Sequence, residues 1–126
     1  MNRFTLRLLL IAGTLFVSAC GEDNEKLLYG QWNASQITEE GQTLNVDLSE
    51  IQFNFRPDGS YEFQSTLNYR EAGSFNLDNN VLYTLDTVNL ESVEKTVQLV
   101  YLSEDTMRLI MNSSGKTRML ELFKPK

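Results

Sequence analysis

Regular alternation of apolar and polar side chains is the feature that most restricts the fold of this chain. Ile51, Phe53 and Phe55 alternate with polar residues, and a Pro-Asp-Gly turn follows at 57–59. Alternation with a period of two places one set of side chains on one face of a β-strand. Proline presets φ for a turn, and glycine accepts a positive φ. The pattern therefore predicts antiparallel strands joined by short turns.

Seven further segments show strand patterns. The apolar face of strand 51–56 continues in the next strand at Tyr61, Phe63, Leu67 and Tyr69. The predicted strands span residues 29–38, 51–56, 61–69, 74–77, 81–85, 93–102, 106–112 and 116–124. We expect a bend near Ala72-Gly73, a hairpin loop at 78–80 and a helical turn near 47–50, but no other helix after the signal region. Eight sequential strands close most economically into an all-β, antiparallel up-and-down barrel, because closure removes the sheet edges.

The first twenty residues carry the pattern of a bacterial export signal. Arg3 and Arg7 precede an apolar run over residues 8–17, and small residues lead to Cys20, which is the only cysteine. The run is too short for a membrane-spanning helix, which needs about 20 apolar residues. The sequence Val-Ser-Ala-Cys resembles the lipobox, at which signal peptidase II cleaves after a diacylglycerol is attached to the cysteine. This resemblance predicts a signal peptide helix over 1–19 and a mature chain that begins at a lipidated, palmitate-bearing Cys20.

The predicted domain boundaries follow from this signal: a signal peptide over 1–19, the lipidated cysteine with an acidic tether over 20–28, and a barrel domain over 29–126. Gly21 stands where an inner-membrane retention signal would have Asp, so we expect outer-membrane attachment. The run at 22–26 resembles acidic signals that direct some lipoproteins to the cell surface, and a solvated tether is the alternative interpretation. Periplasmic and surface-exposed locations therefore both remain open.

Charge and composition exclude several classes of function. The signal holds two of the eleven Lys and Arg and none of the seventeen Asp and Glu, so the mature chain would have a formal net charge of −8. Such an acidic domain is a poor nucleic-acid binder. The chain has no histidine, which removes the commonest general base and most transition-metal sites. Neighbouring carboxylates fall in predicted loops, so we expect no enzyme activity, no metal site and no cofactor.

A short motif at the start of the first strand links this chain to a known fold. Gly30-Gln31-Trp32 resembles the Gly-x-Trp motif of lipocalins and related calycin barrels. The resemblance implies that Trp32 closes one end of the barrel under a cationic side chain near the last strand, and Arg118 and Lys124 are the two candidates. The mature chain is similar to small bacterial lipocalin-like lipoproteins, but it lacks the later lipocalin motifs and the helix outside the barrel.

Inward-facing aromatic residues have two interpretations. The candidate ligand-binding residues are Phe55, Tyr61, Phe63, Tyr69 and Tyr83, and the same inward face is predicted to include Phe53, Phe75 and Tyr101. They line a pocket for a small hydrophobic or amphipathic ligand, or they fill a small eight-stranded barrel. In the second case the function is protein binding, as an inhibitor or an envelope-assembly accessory. A cavity of about 300 Å³ or more lined by these rings would favour the ligand.

Overall fold

The structure, a computed structural model, describes residues 20–89 and 93–126, with backbone alone for residues 20–23. The predicted signal peptide helix over 1–19 lies outside the described residues. Within them, one α-helix, one 3-10 helix and nine strands follow one another along the chain. They are α1 (Cys20–Leu28), β1 (Gly30–Glu39), β2 (Gln42–Thr43), the 3-10 helix Leu48–Glu50, β3 (Gln52–Phe55), β4 (Ser60–Gln64), β5 (Arg70–Asp78), β6 (Val81–Asp86), β7 (Glu94–Leu102), β8 (Thr106–Ser113) and β9 (Lys116–Phe123).

Eight of the strands form a closed antiparallel barrel, which confirms the predicted architecture. Each strand from β3 to β9 pairs with the next one along the chain, and β1 pairs with both β3 and β9. The first half of β1 pairs with β3, from Gly30 opposite Phe55 to Asn33 opposite Gln52. Its second half pairs with β9, as far as Glu39 opposite Arg118. The two-residue strand β2 pairs antiparallel with the last two residues of β1.

Side-chain alternation builds the core as the sequence predicts. Phe53 and Phe55 are buried, whereas the residues between and before them on β3 are partly exposed. The buried apolar residues form one cluster. Burial of a large apolar side chain contributes about 1.5–3 kcal/mol, so this continuous core is the main source of stability. Its members are Leu28, Trp32, Ala34, Ile37, Ile51, Phe53, Phe55, Tyr61, Leu82, Leu99, Met107, Leu109, Leu120 and Leu122.

Turns fall at most of the expected positions. Gly59 has φ of 88° and Asn79 has φ of 57°, as the turns at 57–59 and 78–80 require. The predicted helical turn near 47–50 is the 3-10 helix, and Asp47 caps it by accepting a hydrogen bond from the Ser49 amide at 3.1 Å.

The expected bend at Ala72-Gly73 is wrong, because the chain turns earlier, between β4 and β5. Leu67 and Asn68 have positive φ there, and Leu67 is 94% exposed rather than on the apolar face. Gly73 instead lies within β5. A Cβ atom at Gly73 would be 1.9 Å from the Leu85 carbonyl oxygen, so glycine permits close approach of β5 and β6.

The predicted tether over 20–28 forms helix α1, so the expectation of no helix after the signal region other than the turn near 47–50 is wrong. The Leu28 side chain at the end of this helix is fully buried in the core. Backbone contacts connect α1 with β5 and β7, so the helix lies across the end of the barrel where β1 begins. We call this the closed end. The opposite end, where β1, β4, β6 and β8 finish, is called the open end.

Candidate functional site at the open end of the barrel

Trp32 and Lys124 seal the closed end. Trp32 is fully buried, and its indole Nε1 donates a hydrogen bond to the Leu28 carbonyl oxygen at 2.8 Å. The Lys124 Nζ lies 4.8 Å from the centroid of the Trp32 ring, and it donates to the carbonyl oxygens of Leu27 at 3.2 Å and Tyr29 at 2.9 Å. One ammonium therefore satisfies carbonyl groups at the end of α1 while it lies over the indole.

Gly30 supplies the backbone conformation of this arrangement. Its φ of 120° is a conformation that other residues rarely adopt, and a Cβ atom there would be 3.5 Å from Cε of Lys124. The glycine of the Gly-x-Trp motif thus has a backbone role beside the lysine that covers the tryptophan.

Arg118, the alternative partner for Trp32, is in the wrong place for that role. Its Nε donates to Oε1 of Glu39 at 2.8 Å, at the far end of β1. Because β1 and β9 are antiparallel, the residue just after β9 lies beside the start of β1. The cation over the indole is therefore Lys124, and the guanidinium of Arg118 holds the pKa of the Glu39 carboxyl below its usual value.

Aromatic rings occupy the barrel interior. The centroids of Phe53 and Phe55 are 5.2 Å apart, and those of Phe53 and Phe63 are 4.5 Å apart. Phe55 also contacts Tyr61 at 6.5 Å and Phe75 at 5.0 Å between centroids. Separations of 4.5–7 Å are typical of packed aromatic pairs. Three of the candidate ligand-binding residues, Phe55, Tyr61 and Phe63, are thus packed against other rings inside the barrel.

The remaining two candidates, Tyr69 and Tyr83, are less buried than these three and differ in position. Tyr69 is 41% exposed at the rim of the open end. Tyr83 stands between the buried Leu82 and Thr84 on β6, so its side chain points to the outer surface, and the inward position predicted for it is wrong. The same correction applies to Tyr101, whose ring is exposed beneath the guanidinium carbon of Arg108 at 4.9 Å. The Tyr69 ring nevertheless lies 6.2 Å from that of Phe63 between centroids. The structure thus brings four of the five candidates together and leaves Tyr83 outside.

A buried carboxylate organises the open end. Glu71 on β5 is 5% exposed, and it accepts hydrogen bonds from the Tyr61 hydroxyl at 2.9 Å and the Tyr69 hydroxyl at 2.6 Å. The Lys95 ammonium on β7 forms an ion pair with the same carboxylate. A buried charge is tolerated only when it is paired and hydrogen-bonded, and this one is both. The network connects β4, β5 and β7 across the barrel.

These contacts shift the pKa values of the groups that surround Glu71. Burial, together with the bond to Glu71, raises the pKa of Tyr61 far above the usual value for tyrosine. The bond to Glu71 and partial burial also raise the pKa of Tyr69. Burial alone would lower the pKa of Lys95, but its bond to and attraction by Glu71 outweigh burial and raise it. Both tyrosines are therefore neutral donors at physiological pH, and Lys95 is charged.

A second buried carboxylate fixes the loop after β6. Asp86 is buried, and it accepts hydrogen bonds from the amides of Val88 at 3.0 Å and Ala72 at 3.4 Å and from the Asn89 side chain. Burial alone would raise the pKa of Asp86, but these donors outweigh burial and lower it. Neither Glu71 nor Asp86 was among the residues predicted from the sequence, although each occupies an inward position in an alternating strand.

An opening in the barrel wall lies beside this network. Pairing between β7 and β8 starts at Gln98, opposite Ile110, and continues toward the closed end. A cavity of about 600 Å³ lies beyond that point, toward the open end. We call it the β7–β8 cleft. It is lined by Lys95, Thr96, Val97, Gln98, Ile110, Met111, Asn112, Ser113 and Arg118. None of the predicted aromatic residues belongs to this lining.

The lining of the cleft combines apolar, polar and positively charged side chains. Val97 and Met111 pack against the barrel core and provide apolar surface. Lys95 and Arg118 are partly exposed cations, and the lining includes no carboxylate, although the chain has a net charge of −6. The carboxylates that pair with these cations, Glu71 and Glu39, lie outside the lining. The cleft therefore offers apolar contacts, polar side chains and two positive groups.

Two kinds of feature are absent from the part of the chain that the structure describes. No group of three or more acidic or cysteine side chains there is arranged to hold a metal ion. No helix among the described residues is long and apolar enough to cross a membrane. Cys20 is the first residue of α1, and its side chain is not among those described.

Two solved structures share this fold at low sequence identity. A lipocalin-like protein from Bacteroides uniformis has a TM-score of 0.60 and 18% identity, over 79% of this chain and 99% of its own. An uncharacterized protein from Bacteroides eggerthii has a TM-score of 0.56 and 17% identity, over 77% of this chain and 98% of its own. No protein-family model matches the sequence, and no curated protein matches it. With the closed eight-stranded barrel, these similarities define a lipocalin-like fold.

Proposed function

We propose that this chain is a lipid-anchored envelope protein whose lipocalin-like barrel acts as a protein-binding module. The lipobox-like sequence that ends at Cys20 supports the anchor, because the only thiol stands where acylation requires one. Two or three acyl chains make membrane attachment effectively permanent, whereas one chain is marginal. Gly21 stands where an inner-membrane retention signal would have Asp, which supports outer-membrane attachment. A binding role is favoured over catalysis because the chain has no histidine.

Helix α1 supports a defined orientation on the membrane. A nine-residue helix is about 13 Å long, and this one runs from Cys20 to the buried Leu28 at the closed end. An acylated Cys20 would therefore hold the closed end toward the lipid surface. The open end, with the Glu71 network and the β7–β8 cleft, would face away from the membrane and be accessible to a partner.

The observation that carries the binding role is the filled interior combined with an open wall. Lipocalin-like barrels that hold a ligand inside need internal space, but here Phe53, Phe55 and Phe63 pack against one another. The β7–β8 cleft supplies a concave surface at the open end instead. Partner recognition at the wall of the barrel therefore fits the geometry better than ligand storage in its interior.

Site-specific photocrosslinking in the native host tests this proposal. A photoreactive phenylalanine derivative replaces Asn112, which is exposed and lines the cleft. The matched control carries the same group at Thr117, which pairs with Asn112 on the neighbouring strand, is also exposed and does not line the cleft. We expect a discrete polypeptide adduct from position 112 and little from position 117. Equal labelling at both positions, or none, would count against the protein-binding role.

The anchor is tested separately with Cys20→Ser. Serine offers no thiol for acylation, so we expect labelled palmitate to be absent from the variant and the chain to remain unprocessed. The barrel should fold normally, since residue 20 lies outside every strand. Palmitate incorporation equal to that of the unmodified chain would refute the anchor.

Small-ligand binding is a second candidate function, favoured by the size of the cleft. A volume of about 600 Å³ lies within the range of about 300–1,000 Å³ that is usual for ligand pockets. Val97 and Met111 would contact the apolar part of an amphipathic molecule, and Lys95 and Arg118 its anionic group. A fluorescent fatty-acid probe titrated into the protein measures this activity. Saturable binding that Asn112→Trp weakens and Thr117→Trp does not would support a carrier role.

A further inference from the structure

Strands β7 and β8 each have an edge segment without a strand partner. Strand β7 begins at Glu94, but its register with β8 begins only at Gln98. Beyond Ile110, strand β8 continues to Ser113 without a partner on β7. Within the described residues, 94–97 and 111–113 thus pair on one side only. On their other side both runs are fully paired, since β6 pairs with residues 94–98 and β9 pairs with all of β8.

Unpaired strand edges carry rows of backbone N–H and C=O groups. Such groups are strong hydrogen-bonding partners, and an open edge is a ready template for another strand. Here the two open edges lie on opposite sides of the β7–β8 cleft, whose total volume is about 600 Å³. The cleft therefore presents backbone donors and acceptors from two sides, which a globular surface rarely does.

We propose that an extended segment of a partner protein inserts into the β7–β8 cleft as a strand and pairs with both edges. This inference rests on the protein-binding role proposed above and specifies how the partner is held. The unpaired runs are four residues on β7 and three on β8, so the inserted part is about four residues and 13 Å long. Because β7 and β8 are antiparallel, the segment is antiparallel to one edge and parallel to the other.

Side chains around the cleft define the chemistry of the segment. Strand side chains alternate between the two faces, so every second residue of the segment points inward, toward Val97 and Met111, and should be apolar. Lys95 and Arg118 lie at the open end of the lining, which includes no carboxylate. Each of these cations already pairs with a carboxylate outside the lining, so a carboxylate at the open end of the segment would share a cation with Glu71 or Glu39. We therefore expect alternating apolar residues and one Asp or Glu.

Amide hydrogen exchange on the full chain in detergent tests the edges without any partner. We expect cleft-facing amides within 94–97 and 111–113 to exchange at least about tenfold faster than the paired amides of β5 and β6, since loss of one hydrogen bond is worth about this factor. Protection of both runs equal to that of β5 and β6 would mean that the cleft is closed, and it would overturn the proposal.

A peptide probe then tests insertion itself. An eight-residue randomised library displayed on phage is selected against the full chain, and the best sequence is synthesised. We expect this peptide to slow exchange at alternate amides in both runs together. N-methylation of a central peptide nitrogen should weaken binding about tenfold, because it removes a backbone donor while it keeps the side chains. Selection of no peptide, or of peptides that protect neither run or only one, would refute strand insertion.

Matched variants separate this inference from the proposed function. Asn112→Trp places a bulky side chain at the cleft and should abolish peptide binding, whereas Thr117→Trp on the adjacent strand should not. A photocrosslinked adduct at position 112 without peptide protection of the two runs would leave the protein-binding role standing and remove strand insertion. Absence of the adduct would remove the protein-binding role.

Discussion

Removal of the Trp32 side chain should cost the barrel a large part of its stability. Truncation of a buried tryptophan to alanine typically costs 3–5 kcal/mol. In this barrel Trp32→Ala also leaves the Leu28 carbonyl oxygen without its donor at a fully buried position, so we expect the upper part of that range, about 4–5 kcal/mol. Domains of this size have only about 5–15 kcal/mol in total. The melting temperature should fall by about 20 °C.

A double-mutant cycle attributes part of this loss to the cation over the ring. Lys124→Met keeps an apolar chain in place of the lysine stem but removes the ammonium, with its bonds to Leu27 and Tyr29 and its contact with the indole. We expect it to couple to Trp32→Ala by about 0.5–2 kcal/mol. Arg118→Met is the matched control, because Arg118 pairs with Glu39 at the other end of β1. Its coupling to Trp32→Ala should be under about 0.5 kcal/mol.

Urea unfolding followed by far-UV circular dichroism measures all of these variants, including those without the indole. A cost of Trp32→Ala below about 1.5 kcal/mol would show that the closed end tolerates a cavity, contrary to the close packing that the structure indicates. Coupling of Trp32 to Arg118 instead of Lys124 would refute the assignment of the cation.

Three further predictions concern the wall and the open end. Gly73→Ala should destabilise the domain by about 1–3 kcal/mol in urea unfolding, since its Cβ would meet the Leu85 carbonyl oxygen at 1.9 Å; a neutral effect would be contrary to this geometry. Leu67→Asn should stabilise it by about 0.5–1 kcal/mol, because Leu67 is exposed with φ of 62° and asparagine tolerates that conformation better. The pKa of Tyr61 is raised in the folded state, so its contribution to stability is complete below about pH 10 and is lost as the pH rises further. Unfolding free energies at pH 8–11 should therefore fall more steeply for the unmodified chain than for Tyr61→Phe, and equal slopes would exclude this origin.

Local patterns in the sequence were sufficient for most of the barrel. Alternation at Phe53 and Phe55 with a glycine turn at Gly59 defines β3 and β4, because both signals depend on a few neighbouring residues. No local sequence pattern indicates the turn before β5, because Leu67 and Tyr69 continue the apolar alternation. Gly73 suggests a turn in the sequence, but it lies inside strand β5. Packing between β5 and β6 decides the role of that glycine, and it is a long-range property.

The candidate site was less predictable, since its parts depend on register between distant strands. Tyr83 was assigned inward, but the face of β6 is fixed by Leu82 and Thr84 in their pairing with β5 and β7. The choice between Arg118 and Lys124 needed only the antiparallel pairing of the first and last strands. The β7–β8 cleft, in contrast, is a place where pairing stops, and residues 94–97 differ in no obvious way from a paired strand.

Closure between β1 and β9 has a consequence for how the chain folds. Asn33 pairs with Phe123 across 90 positions, whereas the hairpins from β3 to β9 join neighbours. Loop-closure entropy makes such distant contacts form slowly, after the local hairpins. The barrel cannot close until the last strand has left the ribosome. Lys124, which bonds to the end of the first helix, is synthesised directly after that strand. Until then the paired strands form an open meander with two free edges.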